Sequence, residues 1–176
     1  MVRILLLISQ RNFSDMEFNV IKKTLKEKEV SFTVTSITKD DAIGTDGTVI
    51  KPDKPLREIN PNNYDAFIII GGPGSPKLID YPEVMNLLRK FNEKGKIIAA
   101  ICLAPMILAK AGILKGVIST VFPVDFAIGV LKKEGATYSQ EHIVEDDNII
   151  TADGPQAAKE FTDKIFKKLI VLNNKF

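Results

Sequence analysis

The stretch Lys96-Ile-Ile-Ala-Ala-Ile-Cys-Leu-Ala-Pro-Met-Ile-Leu-Ala-Lys-Ala-Gly112 decides the fold of this chain. Its first half, the branched run Ile97 to Ile101, is typical of a strand that is buried on both faces in a parallel sheet. Its second half, Leu103 to Ala111, predicts a helix that Gly112 ends. Cys102 therefore falls where a buried strand turns directly into a helix, which is the position of a nucleophile elbow.

The residues around Cys102 suit such a turn. Ala100 and Ala104, two positions before and after it, are small, as a tight turn requires, and Pro105 needs no N–H donor in the first helical turn. The free N–H groups at a helix start favour a thiolate and predict a lowered pKa for the Cys102 thiol. A buried structural cysteine is an equally good interpretation from these residues alone, because free cysteine is among the most buried residue types.

Outward from this stretch, strands and helices alternate along the chain. Further buried strands are predicted at Arg3 to Ile8, Val30 to Ile37, Ala66 to Ile70 and Val117 to Phe122. Helices are predicted over residues 14–28, 82–93 and 124–134 and from Pro155 onward. Hairpins are predicted around Asp46-Gly47 and around Asp146-Asp147-Asn148, the second within His142 to Ala152. The alternation predicts an α/β fold with a mainly parallel sheet.

Composition narrows the class of protein. The 176 residues suit a single domain, 1–176, and a net charge of +2 without a basic stripe argues against nucleic acid or anionic lipid as partners. No apolar run approaches the ~20 residues of a membrane span, and the N-terminus lacks the pattern of a signal peptide, so we expect a cytoplasmic protein. One cysteine and one histidine exclude an intramolecular disulfide and a Cys/His zinc site, and we expect neither a metal nor a cofactor.

Two further segments carry candidate chemistry. Glu17 opens the first predicted helix, but Ser14-x-x-Glu17 is also a capping box, in which the carboxylate would only accept the Ser14 backbone N–H. The run Gly71 to Lys77 is neither G-x-G-x-x-G nor a P-loop, and its prolines remove donors that a phosphate would need. A glycine such as Gly72 would let the backbone approach a reacting carbonyl, or it would simply make a turn.

Together these segments resemble one family. The motif Ala100-Ile101-Cys102 with Pro105 and Leu114-Lys115-Gly116 is similar to that of the PfpI intracellular proteases and the related DJ-1 proteins. Phe13, Asp15 and Glu17 resemble the family's acidic segment after the first strand, and Ile69-Ile70-Gly71-Gly72 resembles its glycine pair. Residues 146–155 resemble its closing hairpin and the start of its last helix, so the resemblance covers nearly the whole chain.

The resemblance implies a flavodoxin-like three-layer sandwich, the fold type of class I glutamine amidotransferases, with the site at the carboxyl ends of the strands. It implies Cys102 as the reactive cysteine and Glu17 as a partly protonated carboxyl that donates to the sulfur. The backbone N–H groups of Gly72 and Leu103 match the oxyanion-binding positions. A small-molecule or peptide substrate and a homodimer or higher homo-oligomer are also implied.

This chain departs from the protease pattern at two positions. Leu103 stands where the protease branch has the histidine that protonates a leaving amine, so ordinary Cys-His proteolysis is not expected. Asp153 stands where relatives often carry arginine. The one histidine, His142, matches no family catalytic position and suits a solvated surface role. We therefore expect a cysteine-dependent hydrolase, or an enzyme of glyoxalase or deglycase type acting on small carbonyl compounds or peptides.

Other functions are compatible with some of these residues. The order Cys102, Asp125, His142 formally satisfies an α/β-hydrolase triad, but the chain is too short for the usual eight-stranded version. No feature of the sequence indicates a flavin-binding site. The strongest alternative is a non-enzymatic redox sensor or stress-response, chaperone-like protein in which the same thiol is oxidised. Turnover of small aldehydes or peptides would distinguish these functions, whereas titration of the thiol would not.

Overall fold

Strands and helices alternate in the computed structural model, which describes residues 1–174. The strands are β1 (Arg3–Leu7), β2 (Arg11–Phe13), β3 (Ser31–Ser36), β4 (Ala42–Gly44), β5 (Val49–Ile50), β6 (Lys54–Pro55), β7 (Ala66–Ile69), β8 (Ile97–Ile101), β9 (Ile118–Ser119), β10 (Thr137–Tyr138), β11 (Ile143–Asp146) and β12 (Ile149–Ala152). The helices are α1 (Asp15–Glu27), α2 (Pro82–Glu93), α3 (Pro105–Lys110), α4 (Asp125–Lys133) and α5 (Ala158–Asn173).

Seven strands form the central sheet, in the order β11-β12-β8-β7-β1-β3-β6. Every neighbouring pair is parallel except β11 with β12, which form the predicted closing hairpin. β1 and β8 alternate their buried side chains between two cores, because successive residues of a strand point to opposite faces. One core includes α2, α3 and α4 and the other α1 and α5. The expected flavodoxin-like three-layer sandwich with a mainly parallel sheet is confirmed.

Several predicted boundaries were wrong. The strand expected over Val117 to Phe122 is only β9, which pairs with β10 in a separate two-stranded sheet, because Thr120 N–H donates to the Thr151 hydroxyl and Phe122 N–H to the Cys102 carbonyl. Strands β2 and β6 were not predicted. The Asp46-Gly47 hairpin is confirmed as the antiparallel pair β4 and β5.

Within residues 1–174, no helix combines the length and the apolar character that crossing a bilayer requires. That residues 1–176 form one folding unit stays a prediction.

Candidate active site

Cys102 lies on a strained turn at the carboxyl end of β8. Its φ is +63°, in the left-handed region that a residue with a side chain adopts only at a cost of about 1–2 kcal/mol. The Cys102 N–H donates to the Ala152 carbonyl at 2.9 Å, and the Cys102 carbonyl accepts the Phe122 N–H at 2.8 Å. These two bonds hold the turn in place. Cys102 as a whole residue is 9% exposed and lines a surface pocket, so it is buried but reachable from the surface.

The helix after the elbow starts later than predicted. α3 begins at Pro105 and not at Leu103, and residues 102–104 form a turn in front of it. Cys102 therefore lies three positions before a helix of six residues. The donors that act on its sulfur are instead the backbone N–H groups of Gly72 and Leu103. Both groups were identified from the sequence as candidate oxyanion donors, and the structure places both at the Cys102 sulfur.

Glu17 lies in the first turn of α1 and is fully buried. The Ser14 hydroxyl accepts the Glu17 N–H at 3.3 Å, as a capping box requires. The reciprocal bond is absent, because Ser14 N–H donates to the Gly71 carbonyl at 2.9 Å and the Glu17 carboxylate accepts the Gly71 N–H at 2.9 Å. Ser14 thus caps the helix, while the Glu17 carboxylate is free to face the elbow.

The pKa values of Glu17 and Cys102 are both raised. Burial raises the pKa of Glu17 to about 7, against the lowering effect of the Gly71 N–H and of Cys102. Burial raises the pKa of Cys102 to about 12, and the negative charge of Glu17 is the next cause, whereas the Gly72 and Leu103 N–H groups lower it. The lowering predicted from a helix N-terminus is therefore wrong for a thiol that faces an ionised Glu17.

These two groups titrate as one pair. Above about pH 7 the pair has lost one proton, and the proton that remains can lie either on the carboxylate or on the sulfur. Glu17 Oε1 is buried and has no hydrogen-bond partner within residues 1–174, and the Glu17 carboxyl group interacts with the Cys102 thiol. When the proton lies on Glu17, the charge that opposes the thiolate is gone and the sulfur accepts two backbone N–H groups. The arrangement can therefore supply a nucleophile and a proton donor together.

Glycine at position 71 is required by this close packing. A Cβ there would lie 2.5 Å from the Ile101 carbonyl oxygen, 2.6 Å from Cys102 Cβ and 2.8 Å from Glu17 Oε2. Gly72 has a φ of +111°, and a Cβ there would meet the Ser14 nitrogen at 2.4 Å. The Gly71-Gly72 pair thus lets the segment that follows β7 approach both Cys102 and Glu17, which explains this sequence motif physically.

Gly71→Ala is expected to destabilise the protein by about 1–3 kcal/mol, because backbone atoms of β8 must move to admit the methyl group. Gly129→Ala is a matched control: Gly129 lies inside α4 with open space around it, so alanine there should stabilise by about 0.5–1 kcal/mol. Chemical denaturation of both variants measures the difference. Equal stability of the two variants would contradict the close packing at Gly71.

The surface above Cys102 is an open pocket of about 350 Å³. Its walls are mainly apolar and include Met16, Phe122 and Pro155. Asp15 fixes one side of this pocket, since its carboxylate accepts the N–H groups of Asp46 and Thr48 at 2.8 and 2.9 Å. Burial alone would raise the pKa of Asp15, but these hydrogen bonds outweigh it and the pKa is lowered. The pocket has the size of a small-molecule site.

Residues that the sequence did not assign lie beside this pocket. Phe122, predicted only as the end of a strand, forms part of its wall. His142 does not meet Asp125; its Nδ1 lies 2.8 Å from Asp153 Oδ2, so the α/β-hydrolase order does not describe the site. The register of β11 and β12 brings His142 and Asp153 together. Their separation of 11 residues in the sequence does not by itself predict this contact. No cluster of three or more metal-ligating side chains occurs in the part of the chain that the structure describes.

Comparison with curated proteins finds relatives along nearly the whole chain. An uncharacterized protein of Methanocaldococcus jannaschii, MJ0967, is 36% identical over 95% of this chain and 82% of its own length. A "glutathione-independent glyoxalase" of Caenorhabditis elegans, DJR-1.2, is 33% identical over 70% of this chain and 64% of its own. A protein named "deglycase PfpI" from Pyrococcus furiosus is 29% identical over 86% of this chain and 90% of its own.

Solved structures give the same result. The crystal structure of a ThiJ/PfpI domain protein from Brachyspira murdochii superposes with a TM-score of 0.89 and 28% identity, covering 98% of this chain and 96% of that one. The sequence description of the DJ-1/PfpI family matches residues 2–168. The elbow, the glycine pair and the closing hairpin all lie within that range. The chain belongs to the DJ-1/PfpI family.

Proposed function

We propose that this protein is a cysteine-dependent enzyme of glyoxalase or deglycase type that acts on small carbonyl compounds. Cys102 is the nucleophile and Glu17 donates and accepts its protons. The observation that carries the proposal is the buried Glu17 carboxyl, whose pKa is raised to about 7, beside a cysteine that faces two backbone N–H groups. The names of the glyoxalase and deglycase relatives support the same class of reaction.

The first step is addition to an aldehyde. The Cys102 thiolate forms a bond to the aldehyde carbon, the π pair of the C=O bond moves onto oxygen, and that oxygen takes the Glu17 proton. The N–H groups of Gly72 and Leu103, which face the sulfur in the free protein, stabilise the charge that develops on this oxygen. The product is a hemithioacetal beside a Glu17 carboxylate.

With a 2-oxoaldehyde, the same carboxylate completes the reaction. The proton on the sulfur-bearing carbon moves through Glu17 to the neighbouring carbon, and the hydroxyl proton moves from the first oxygen to the second. A thioester results, and water hydrolyses it to a 2-hydroxy acid and free Cys102. One carbon is oxidised and its neighbour is reduced within the same molecule, so the reaction needs no outside reductant. The Cys102 thiol replaces a thiol cofactor.

The test is turnover of methylglyoxal without added thiol, followed by NMR detection of lactate. We expect conversion by the wild-type protein and no cleavage of fluorogenic peptides or denatured casein. Peptides should fail because the residue next to Cys102 is Leu103, which supplies no imidazole to protonate an amine that leaves from the attacked carbon. Absence of lactate would contradict the proposal, and peptide cleavage that depends on Cys102 would contradict its substrate class.

We also propose a homo-oligomer in the cytoplasm, as the resemblance to the family implies. Met16 and Val49 are 58% and 57% exposed, and the bond from Thr48 N–H to Asp15 brings their segments together. An exposed apolar surface of this kind supports association between copies of the chain. Light scattering of the purified protein measures the mass in solution, and a monomer at micromolar concentration would contradict this part of the proposal.

A further inference from the structure

His142 and Asp153 form a dyad that the mechanism above does not use. Nδ1 of His142 lies 2.8 Å from Asp153 Oδ2, and Nε2 on the other side of the ring is the nitrogen left to meet a substrate. The His142 side chain is 86% exposed, whereas that of Asp153 is only 18% exposed. An exposed imidazole is thus held by a largely buried carboxylate, which is the arrangement that orients a histidine for proton transfer.

The strand register places this dyad beside Cys102. Ile101, Ala152 and Ile143 are paired across β8, β12 and β11. One position further, Cys102 N–H donates to the Ala152 carbonyl, and Asp153 N–H donates to the His142 carbonyl at 3.0 Å. Since neighbouring strands lie about 4.8 Å apart, the backbone of His142 is two spacings, about 10 Å, from that of Cys102.

A second pocket of about 350 Å³ contains the dyad and adjoins the Cys102 pocket. Phe122 lines both pockets, and its ring packs on the backbone at Gly154, where a Cβ would lie 3.7 Å away. Glu160 of α5 also faces His142 in this pocket. A substrate that is bound at Cys102 by its carbonyl group and is longer than a simple aldehyde would pass Phe122 and reach the imidazole.

We propose that His142, positioned by Asp153, is the acid and base that releases the amine from amine adducts of 2-oxoaldehydes bound at Cys102. This inference rests on the proposed function. In such a carbinolamine, the Nε2 proton passes to the nitrogen, and the C–N bond breaks with its pair on nitrogen. The neutral imidazole takes the hydroxyl proton while the O–H pair forms the C=O bond. The amine leaves, the imidazolium is restored, and an aldehyde remains for Cys102.

The charge state of the imidazole agrees with this task. The hydrogen bond from His142 to Asp153, and the charge of Asp153, raise the pKa of His142 above its ordinary value, and Glu160 acts in the same direction. At any given pH, a larger fraction of His142 is therefore imidazolium than of an unperturbed histidine. Leu103 cannot protonate an amine, so the dyad would supply what the residue after the cysteine lacks.

The test compares the adduct of methylglyoxal and N-acetyl-lysine with methylglyoxal itself. The rate of amine release with enzyme is compared with the spontaneous rate. An enzyme that only consumes aldehyde after spontaneous release does not exceed that spontaneous rate. We expect wild-type protein to release amine faster than the spontaneous rate and His142→Gln to lower that acceleration by about 10²-fold. Glu141→Gln, an exposed neighbour outside both pockets, is the control and should not alter the ratio of adduct to aldehyde turnover.

A second measurement separates proton transfer from a structural effect. His142 is the only histidine of the chain, so untagged protein gives a single imidazole signal by NMR. Asp153→Asn should lower the pKa of that signal and move the alkaline limb of the release profile to lower pH by the same amount. Methylglyoxal turnover without accelerated release would overturn the dyad's role alone. Equal loss of both activities in His142→Gln would also overturn it, and absence of both in the wild type would overturn the proposed function as well.

Discussion

Cys102→Ser is expected to lower kcat/KM for methylglyoxal by at least about 10³-fold, since a serine hydroxyl at this position does not ionise near neutral pH. The N–H groups of Gly72 and Leu103 lower the pKa of the Cys102 sulfur, but neither they nor the Glu17 carboxyl provides a nucleophile of its own. Lactate formation by wild type and variant, at equal protein concentration, measures the loss.

Cys102→Ala is the matched control, because it removes the nucleophile and adds no hydroxyl. It should be as inactive as Cys102→Ser, and both variants should keep the elbow, whose backbone hydrogen bonds to Ala152 and Phe122 do not involve the side chain. A serine variant that retains most of the wild-type rate would contradict covalent catalysis. If the wild type itself were inactive while peroxide oxidised its thiol, the redox-sensor alternative would be favoured instead.

Glu17→Ala is expected to lower kcat by about 10²–10³-fold, the usual size of a general acid–base contribution. The variant loses both the proton for the developing alkoxide and the donor that stabilises the buried thiolate. Glu17→Gln separates these two losses. Its amide oxygen can accept the Gly71 N–H as the carboxylate does, and its N–H₂ group can donate to the sulfur, but it transfers no proton.

Alkylation by iodoacetamide at pH 7 reports on the thiolate alone. We expect fast alkylation in the wild type and in Glu17→Gln and slow alkylation in Glu17→Ala, whereas lactate formation should be low in both variants. If Glu17→Ala were alkylated and turned over methylglyoxal at the wild-type rates, the Glu17 carboxyl would have a structural role only. Loss of thermal stability together with an unchanged thiol would favour the same conclusion.

Short-range patterns in the sequence predicted the sheet, the helices and the elbow. The apolar runs at β1, β7 and β8 have no alternation because both of their faces are buried, and small residues mark the turn at Cys102. The resemblance to the family identified Glu17 as the partner of Cys102. The capping-box pattern of Ser14 competed with that assignment, and the bond from the Gly71 N–H shows that the Glu17 carboxylate does not accept the Ser14 N–H.

What the sequence missed depends on contacts between distant segments. The start of α3 at Pro105 follows from the left-handed turn at Cys102, which breaks the helical pattern that Leu103 would continue. The raised pKa of Cys102 comes from burial and from Glu17, 85 positions earlier in the chain, and not from local helix geometry. The His142–Asp153 dyad arises from hairpin register, so His142 looked like a surface residue in isolation.

We propose that the sulfur carries the charge when the Glu17–Cys102 pair holds one proton, because the sulfur accepts two backbone N–H groups and the Glu17 carboxylate accepts one. Ultraviolet absorbance of the thiolate, followed against pH in the wild type with Cys102→Ser as the blank, tests it directly. Thiolate absorbance is then expected to appear as the pair loses its first proton, at or below the pH of about 7 at which Glu17 would titrate beside a neutral thiol. Absorbance that stays absent until the pH approaches 12 would place that first proton loss on Glu17 and contradict this proposal.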